Sequence, residues 1–178
     1  GALTHWFLPE DQTRCEAGRP ETFLDCHANN LSAPRQMLLE AGAFDEGFAC
    51  SEFEGAELAW RLRGHNRFMG HCGQATAYVG RGVSFEEAYA RQYARGYCLH
   101  HLLEATGARE ITRRFMVPGS GLHGFTDRLF APWYVRACRQ AEPDTRLLGA
   151  VYRRTLRYAR RRGFTDARRG RPPADRAA

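Results

Sequence analysis

The chain has 178 residues, 43% of them hydrophobic and 12% aromatic, enough to bury the core of one domain and to exclude a wholly disordered polypeptide. It contains no Lys, so all 26 basic residues are Arg, the composition that a GC-rich coding bias gives. Residues 153–178 hold ten Arg against Asp166 and Asp175, a charge of +8, and residues 1–152 carry −2. A nucleic-acid reading would rest on that tail alone, and its few aromatics make a stacking platform a poor fit. The six Cys (15, 26, 50, 72, 98 and 138) share no C-x-x-C spacing, which excludes a zinc ribbon and points to reduced thiols in a cytoplasmic setting. No apolar run approaches the roughly 18–20 residues of a membrane span, and no signal-peptide pattern opens the chain. Its first residue is Gly, which reads as a processed or excised piece.

Residues 1–27 are turn-rich, with a short strand expected near Thr22–Leu24 and an extended run from Asn29 to Ser32. Pro34 suits a first helical turn, where its missing N–H is not needed. The helix that follows places Met37, Leu38 and Ala41 on one face, and Gly42 stops it. A second helix is expected from about Glu54 to Arg63, with Leu58 and Leu62 as its apolar stripe. Residues 67–71 and 75–79 read as two short strands. Ser84-Phe-Glu-Glu87 is a capping box opening a helix to about Glu104, with Phe85, Tyr89 and Tyr93 as an aromatic ridge. Residues 108–116 and 125–138 read as helices, the second bent by Pro132. The last helix, 145–162, carries Leu147, Leu148, Val151, Tyr152 and Leu156 on one side and Arg153, Arg154, Arg157, Arg160 and Arg161 on the other. From Gly163 onward Gly, Pro and Arg predict disorder.

Three pieces in order carry a resemblance. Asn29 to Glu46 ends in Gly42-Ala-Phe44-Asp45-Glu46, Glu54-x-x-Glu57-Leu58-x-x-Arg61-Leu62 follows, and the Ser84–Leu103 helix comes third. Together, over about residues 27–105, they resemble the inverting family 2 glycosyltransferases of the GT-A fold. The resemblance implies an α/β architecture, the C-terminal, acceptor-side part of a nucleotide-diphospho-sugar transferase domain over 1–107. A helical extension (108–163) and an Arg/Pro-rich tail (164–178) would complete it. The implied activity is transfer of a sugar from a nucleotide-sugar donor to a glycan or lipid-linked hydroxyl. Glu54 and Glu57 are the implied catalytic carboxylates. Asn30, Ser32, Phe44, Asp45, Glu46, Arg61 and Arg81 are the implied substrate-binding residues. A carboxylate at a helix N-terminus is favoured by the exposed N–H groups, and there it can serve as general base.

The sequence departs from the family in three places. Gly55 stands where the family's usual base is an Asp. Val79 or Arg81 stands where many members carry a His. The D-x-D motif that holds Mg or Mn on the donor pyrophosphate is absent from the chain, so the chain alone is not expected to turn over. Each carboxylate also has a plain structural reading: Glu54 as a capping group and Glu57 as the i, i+4 partner of Arg61.

Other constellations are weaker. His65, His71 and Cys72 match no zinc spacing, nor do Cys98, His100 and His101. Neighbouring His100 and His101 point about 100° apart on a helix and are not expected to share a metal. Ser120 lacks the G-x-S-x-G elbow. The rival to the enzyme reading is a non-catalytic module that docks to a partner or to an anionic membrane, peripherally on the inner face of the plasma membrane, through 145–162.

Overall fold

The computed structural model describes residues 22–48, 50, 52–66, 70, 72, 83–115, 122–140 and 146–173. Two 3₁₀ turns come first, Phe23–Asp25 and Ala28–Asn30. Six α-helices follow: α1 (Arg35–Glu40), α2 (Glu54–Gly64), α3 (Phe85–Thr106), α4 (Arg109–Phe115), α5 (Leu122–Gln140) and α6 (Arg146–Arg168).

The described residues contain no strand, which overturns the α/β, GT-A-type architecture expected from the sequence. The strand expected at Thr22–Leu24 is a 3₁₀ turn because Asp25 captures it locally: its Oδ2 accepts from the Thr22 N–H at 2.8 Å and from the Thr22 hydroxyl at 2.9 Å. Short polar side chains bonding to nearby backbone in this way compete with extended pairing. Asn29 and Asn30 likewise lie in the second turn, and extended backbone resumes only at Leu31. The two strands expected at 67–71 and 75–79 fall almost wholly outside the described residues.

Helix termini follow the local chemistry of the sequence. Ser84 Oγ accepts from the Glu87 N–H and the Glu87 carboxylate accepts from the Ser84 N–H, closing the capping box of α3. Gly42 takes φ +79° after α1, with its N–H on Leu39 O and the Ala43 N–H on Leu38 O, the paired bonds of a Schellman stop. Pro132 sits inside α5, where the ring removes one helical hydrogen bond.

The main core joins early and late residues. Phe23, Leu24, Phe53 and Ala56 pack with Leu99, Leu102, Ala108, Ile111 and Phe164. The 108–115 helix therefore shares one interior with the 23–59 segment. A second cluster packs Phe85 and Ala88 against Cys138, Tyr152 and Leu156, and a third sets Ala41 on Leu58 and Leu62. Fully buried leucines such as Leu58, Leu99 and Leu102 each contribute roughly 1.5–3 kcal/mol.

Helix α6 corrects two expectations. It does not end at Gly163; it runs to Arg168, with Phe164, Asp166 and Ala167 buried inside the segment expected to be a disordered tail. Its stop glycine is Gly170, at φ +65°, with Gly170 N–H on Ala167 O and Arg171 N–H on Asp166 O, again the Schellman pair. Gly163 has another task. A Cβ there would land on the Tyr93 carbonyl, and a Cβ on Gly96 would land on the Arg160 carbonyl. The α3 and α6 backbones cross in direct contact at these two glycines. Ala159, Gly163 and Ala167, spaced four apart and all buried, form the small face that permits it.

Part of the apolar side of α6 is thereby buried. Tyr152 and Leu156 lie in the second core cluster, and the Tyr152 hydroxyl donates to Cys138 O at 2.8 Å. These two residues of the apolar stripe proposed for membrane docking are inside the protein and not available to a bilayer. Among the described residues no helix is long and apolar enough to cross a membrane.

Because both glycine contacts are with backbone, no rotamer change relieves an added methyl. Gly96→Ala and Gly163→Ala are each expected to destabilise the fold by about 3 kcal/mol or more, the top of the range for overpacking. Urea denaturation midpoints measure this, and a Gly64→Ala control, where an added Cβ meets nothing within 4 Å, should stay near wild type.

Candidate functional site

Four segments meet around the N-terminal half of α2. Its first residue, Glu54, is half-buried and lines a cleft of about 110 Å³. The rest of the lining is Cys26, His27, Ala28, Asn29, Glu52 and Gly55. His27, Asn29, Glu52 and Glu54 thus line one cleft at a helix N-terminus, where the exposed N–H groups favour negative charge. The arrangement can accept a proton and hydrogen-bond a hydroxylated ligand.

Gly55 has a steric explanation. A Cβ on it would sit 2.7 Å from Ala28 N and 2.8 Å from Cys26 O. The wall of the cleft passes directly over α2, and the Asp that the family resemblance leads one to look for at this position cannot fit beneath it. Glu54, one residue earlier, is the carboxylate-bearing residue at the start of α2 that lines the cleft.

Residues 26–29 are held in place by a neighbouring ion pair. Asp25 Oδ1 meets Arg114 Nη2 at 2.5 Å, with 8% and 12% of the two side chains exposed. Arg114 also donates to Thr22 Oγ1 at 3.1 Å. Burial by itself raises the Asp25 carboxyl pKa. The Arg114 hydrogen bond, the Thr22 hydrogen bonds and the Arg114 charge outweigh it and hold the pKa below the ordinary carboxylate value.

Glu57 and Arg61 form a separate unit. Arg61 donates to both Glu57 oxygens, at 2.6 and 2.7 Å, and also to Ala41 O and, at 2.7 Å, to Ala43 O. The guanidinium thereby caps carbonyls at the end of α1 and latches α2 to the 41–43 stop of that helix. Its pKa is raised, chiefly by the Glu57 hydrogen bond. Glu57, 7% exposed, spends both oxygens on this latch and does not line the cleft, so its expected catalytic role gives way to its plain reading as the partner of Arg61.

The remaining expected binding residues do not converge on Glu54. Asn30, Ser32, Phe44, Asp45 and Glu46 are exposed and none lines the cleft. Asp45 turns back on its own loop, accepting from the Gly47 N–H at 2.9 Å. Arg81 lies outside the described residues. Conversely, His27, Asn29 and Glu52 line the cleft without having stood out in the sequence. Their only signal there was proximity to Glu54 and to the Asn-x-Ser stretch.

Two consequences are measurable. Arg61→Lys supplies one ammonium for four acceptors and should cost about 2 kcal/mol or more, since each hydrogen bond to a charged group contributes roughly 1.5–3 kcal/mol. Thermal unfolding would register a drop of several degrees. Asp25, with a depressed folded-state pKa, stabilises the fold above its unfolded value of about 3.9, and that contribution fades as pH falls through the folded pKa. Urea midpoints taken from pH 5 downward should therefore fall, and Asp25→Asn should remove that part of the slope while lowering stability at neutral pH.

Compared with known proteins, the chain matches no family model, no curated protein and no solved structure.

Proposed function

We propose that this chain is the acceptor-side part of a sugar-transferring enzyme, with Glu54 as the base that activates the acceptor hydroxyl. The observation that supports the reading is that Glu54, at the start of α2, lines a polar cleft together with Glu52, His27 and Asn29. The ordered motif resemblance supplies the reaction class.

In this reading an acceptor hydroxyl, from a glycan or a lipid-linked sugar, donates a hydrogen bond to Glu54. The carboxylate takes the proton as the oxygen attacks the anomeric carbon of the donor in line, and the nucleoside diphosphate leaves with the electron pair of the broken bond. A positioned base contributes roughly 10²–10⁴-fold to such a step, and alignment of the two reactants contributes further. His27 and Asn29 offer hydrogen bonds to neighbouring hydroxyls of the acceptor. The Mg or Mn ion of the family is held by a D-x-D motif that this sequence lacks. No step here is routed through a metal, and the donor site belongs to another part of the enzyme.

Three experiments test the proposal. Saturation-transfer NMR of the chain with oligosaccharides should show sugar protons contacting the protein, and Glu54→Ala should abolish that contact. In the protein that carries this chain, Glu54→Gln should lower kcat by about 10²-fold or more without changing the unfolding midpoint. An unchanged kcat would remove Glu54 from the chemistry. Calorimetry of the chain alone with nucleotide-sugars and Mn²⁺ should show no micromolar binding, and tight metal-dependent binding would contradict the division of donor and acceptor sites.

A further inference from the structure

One turn of α3 gathers His100, His101 and Glu104, whose ligand atoms lie within 4.8 Å of one another. The sequence spacing argued against two adjacent His sharing an ion, because their Cβ directions diverge by about 100°. Glu104 resolves this. It is i+4 from His100 and i+3 from His101, so it stands over both, and each imidazole swings toward it. His100 Nδ1 is 3.3 Å and His101 Nδ1 is 3.6 Å from the same Glu104 oxygen, Oε2. The two rings stand perpendicular with centroids 5.8 Å apart.

These separations fit coordination. An ion about 2.0–2.1 Å from nitrogen and oxygen ligands would subtend N–metal–O angles of roughly 107° and roughly 123° at those spacings, on either side of the tetrahedral value. They fit hydrogen bonding less well: His100 Nδ1 is buried and has no hydrogen-bond partner, although Oε2 is near. A buried polar nitrogen without a partner is costly, and a metal ion would satisfy it.

The surroundings hold the ligands ready. The His100 side chain is only 12% exposed and its ring meets Phe164 of α6 edge-on at 5.3 Å. The His101 ring lies 5.2 Å from that of Tyr97. The outer side is open, with His101 at 42% and Glu104 at 62% exposure, so an ion can enter and keep a solvent-facing fourth position. Two imidazoles and one carboxylate suit a borderline divalent ion rather than Mg²⁺ or Ca²⁺, which take oxygen ligands.

We propose that His100, His101 and Glu104 form a binding site for a divalent transition-metal ion of the zinc type, with one coordination position left open. The proposal does not depend on the sugar-transfer reading; it concerns a different face of the chain and a different class of ion from the Mg or Mn of the family's donor site.

The test is titration of the chain with Zn²⁺ by calorimetry and with Co²⁺ by absorption spectroscopy, in a background with Cys15→Ser, since Cys15 lies outside the described residues, and Cys72→Ser, which removes the thiol that is exposed among the described residues. A single saturable ion, raising the unfolding temperature because only the folded chain assembles the site, is the expected result. Removing a ligand should weaken binding by about tenfold or more, given that even supporting partners of metal ligands are worth 10–100-fold. His101→Ala and Glu104→Gln are the informative variants, because both side chains are exposed enough to change without unfolding α3. His100→Gln adds the buried ligand, with circular dichroism to show that it folds. The Co²⁺ spectrum should show ligand-field bands without a thiolate charge-transfer band. No saturable binding, wild-type affinity in both exposed variants, or a thiolate charge-transfer band would each overturn the assignment.

Discussion

The backbone-on-backbone crossing of α3 and α6 at Gly96 and Gly163 fixes the rest of the molecule. Helix axes usually lie 8–10 Å apart with side chains between them. Here each glycine takes up space that a single methyl would deny to the other helix's carbonyl. That approach brings Phe164 into the core shared with Phe53 and Leu99. It sets the Tyr93 hydroxyl 3.3 Å from Asp166 Oδ2, and it puts Phe164 against the His100 ring. Asp166 then gathers Arg162 at 3.6 Å and Arg171 at 3.3 Å, so part of the strongly basic C-terminal segment is tied back onto the helix. A glycine in a helix interior costs about 1 kcal/mol in propensity, and the packing it allows offsets that cost.

The cleft depends on a second tier of constraints. Its floor is the start of α2, and its wall is the 26–29 segment pressed over Gly55. The wall is anchored by the Asp25–Arg114 pair, which links the first 3₁₀ turn to α4, and α4 in turn packs through Ile111 into the main core. Removing one member of a buried pair leaves the other charge uncompensated, a loss of roughly 3–5 kcal/mol. The position of Glu54 is therefore set by residues about sixty positions away in sequence, which no local motif records.

Local signals were legible. The Ser84 capping box, the Gly42 stop, the Leu58/Leu62 stripe and the Phe85–Tyr93 ridge all arise from contacts within one or two helical turns, and sequence spacing encodes such contacts directly. What failed was non-local or competitive. Gly163 read as a terminator because a glycine in isolation disfavours helix, and only the α3 backbone opposite reveals why it is there. Thr22–Leu24 read as strand by composition, while the Asp25 carboxylate, one residue further on, drew the backbone into a turn. His100 and His101 diverge when the two residues are considered alone. The third group, Glu104, changes the geometry from divergent to convergent.

The same distinction bears on the family-like motifs. The Glu57-x-x-x-Arg61 pair is tied to the turn that precedes Phe44-Asp45-Glu46: Arg61 bridges the Glu57 carboxylate to the Ala41 and Ala43 carbonyls that end α1. The co-occurrence of these motifs in one order is explained by the α1–α2 joint, whatever chemistry the surrounding protein performs. A turn and a helix held in this way present the helix N-terminus in a fixed direction, and Glu54 is the residue at that N-terminus. Beside that N-terminus, Gly55 gives up a side chain so that residues 26–28 can close over the helix.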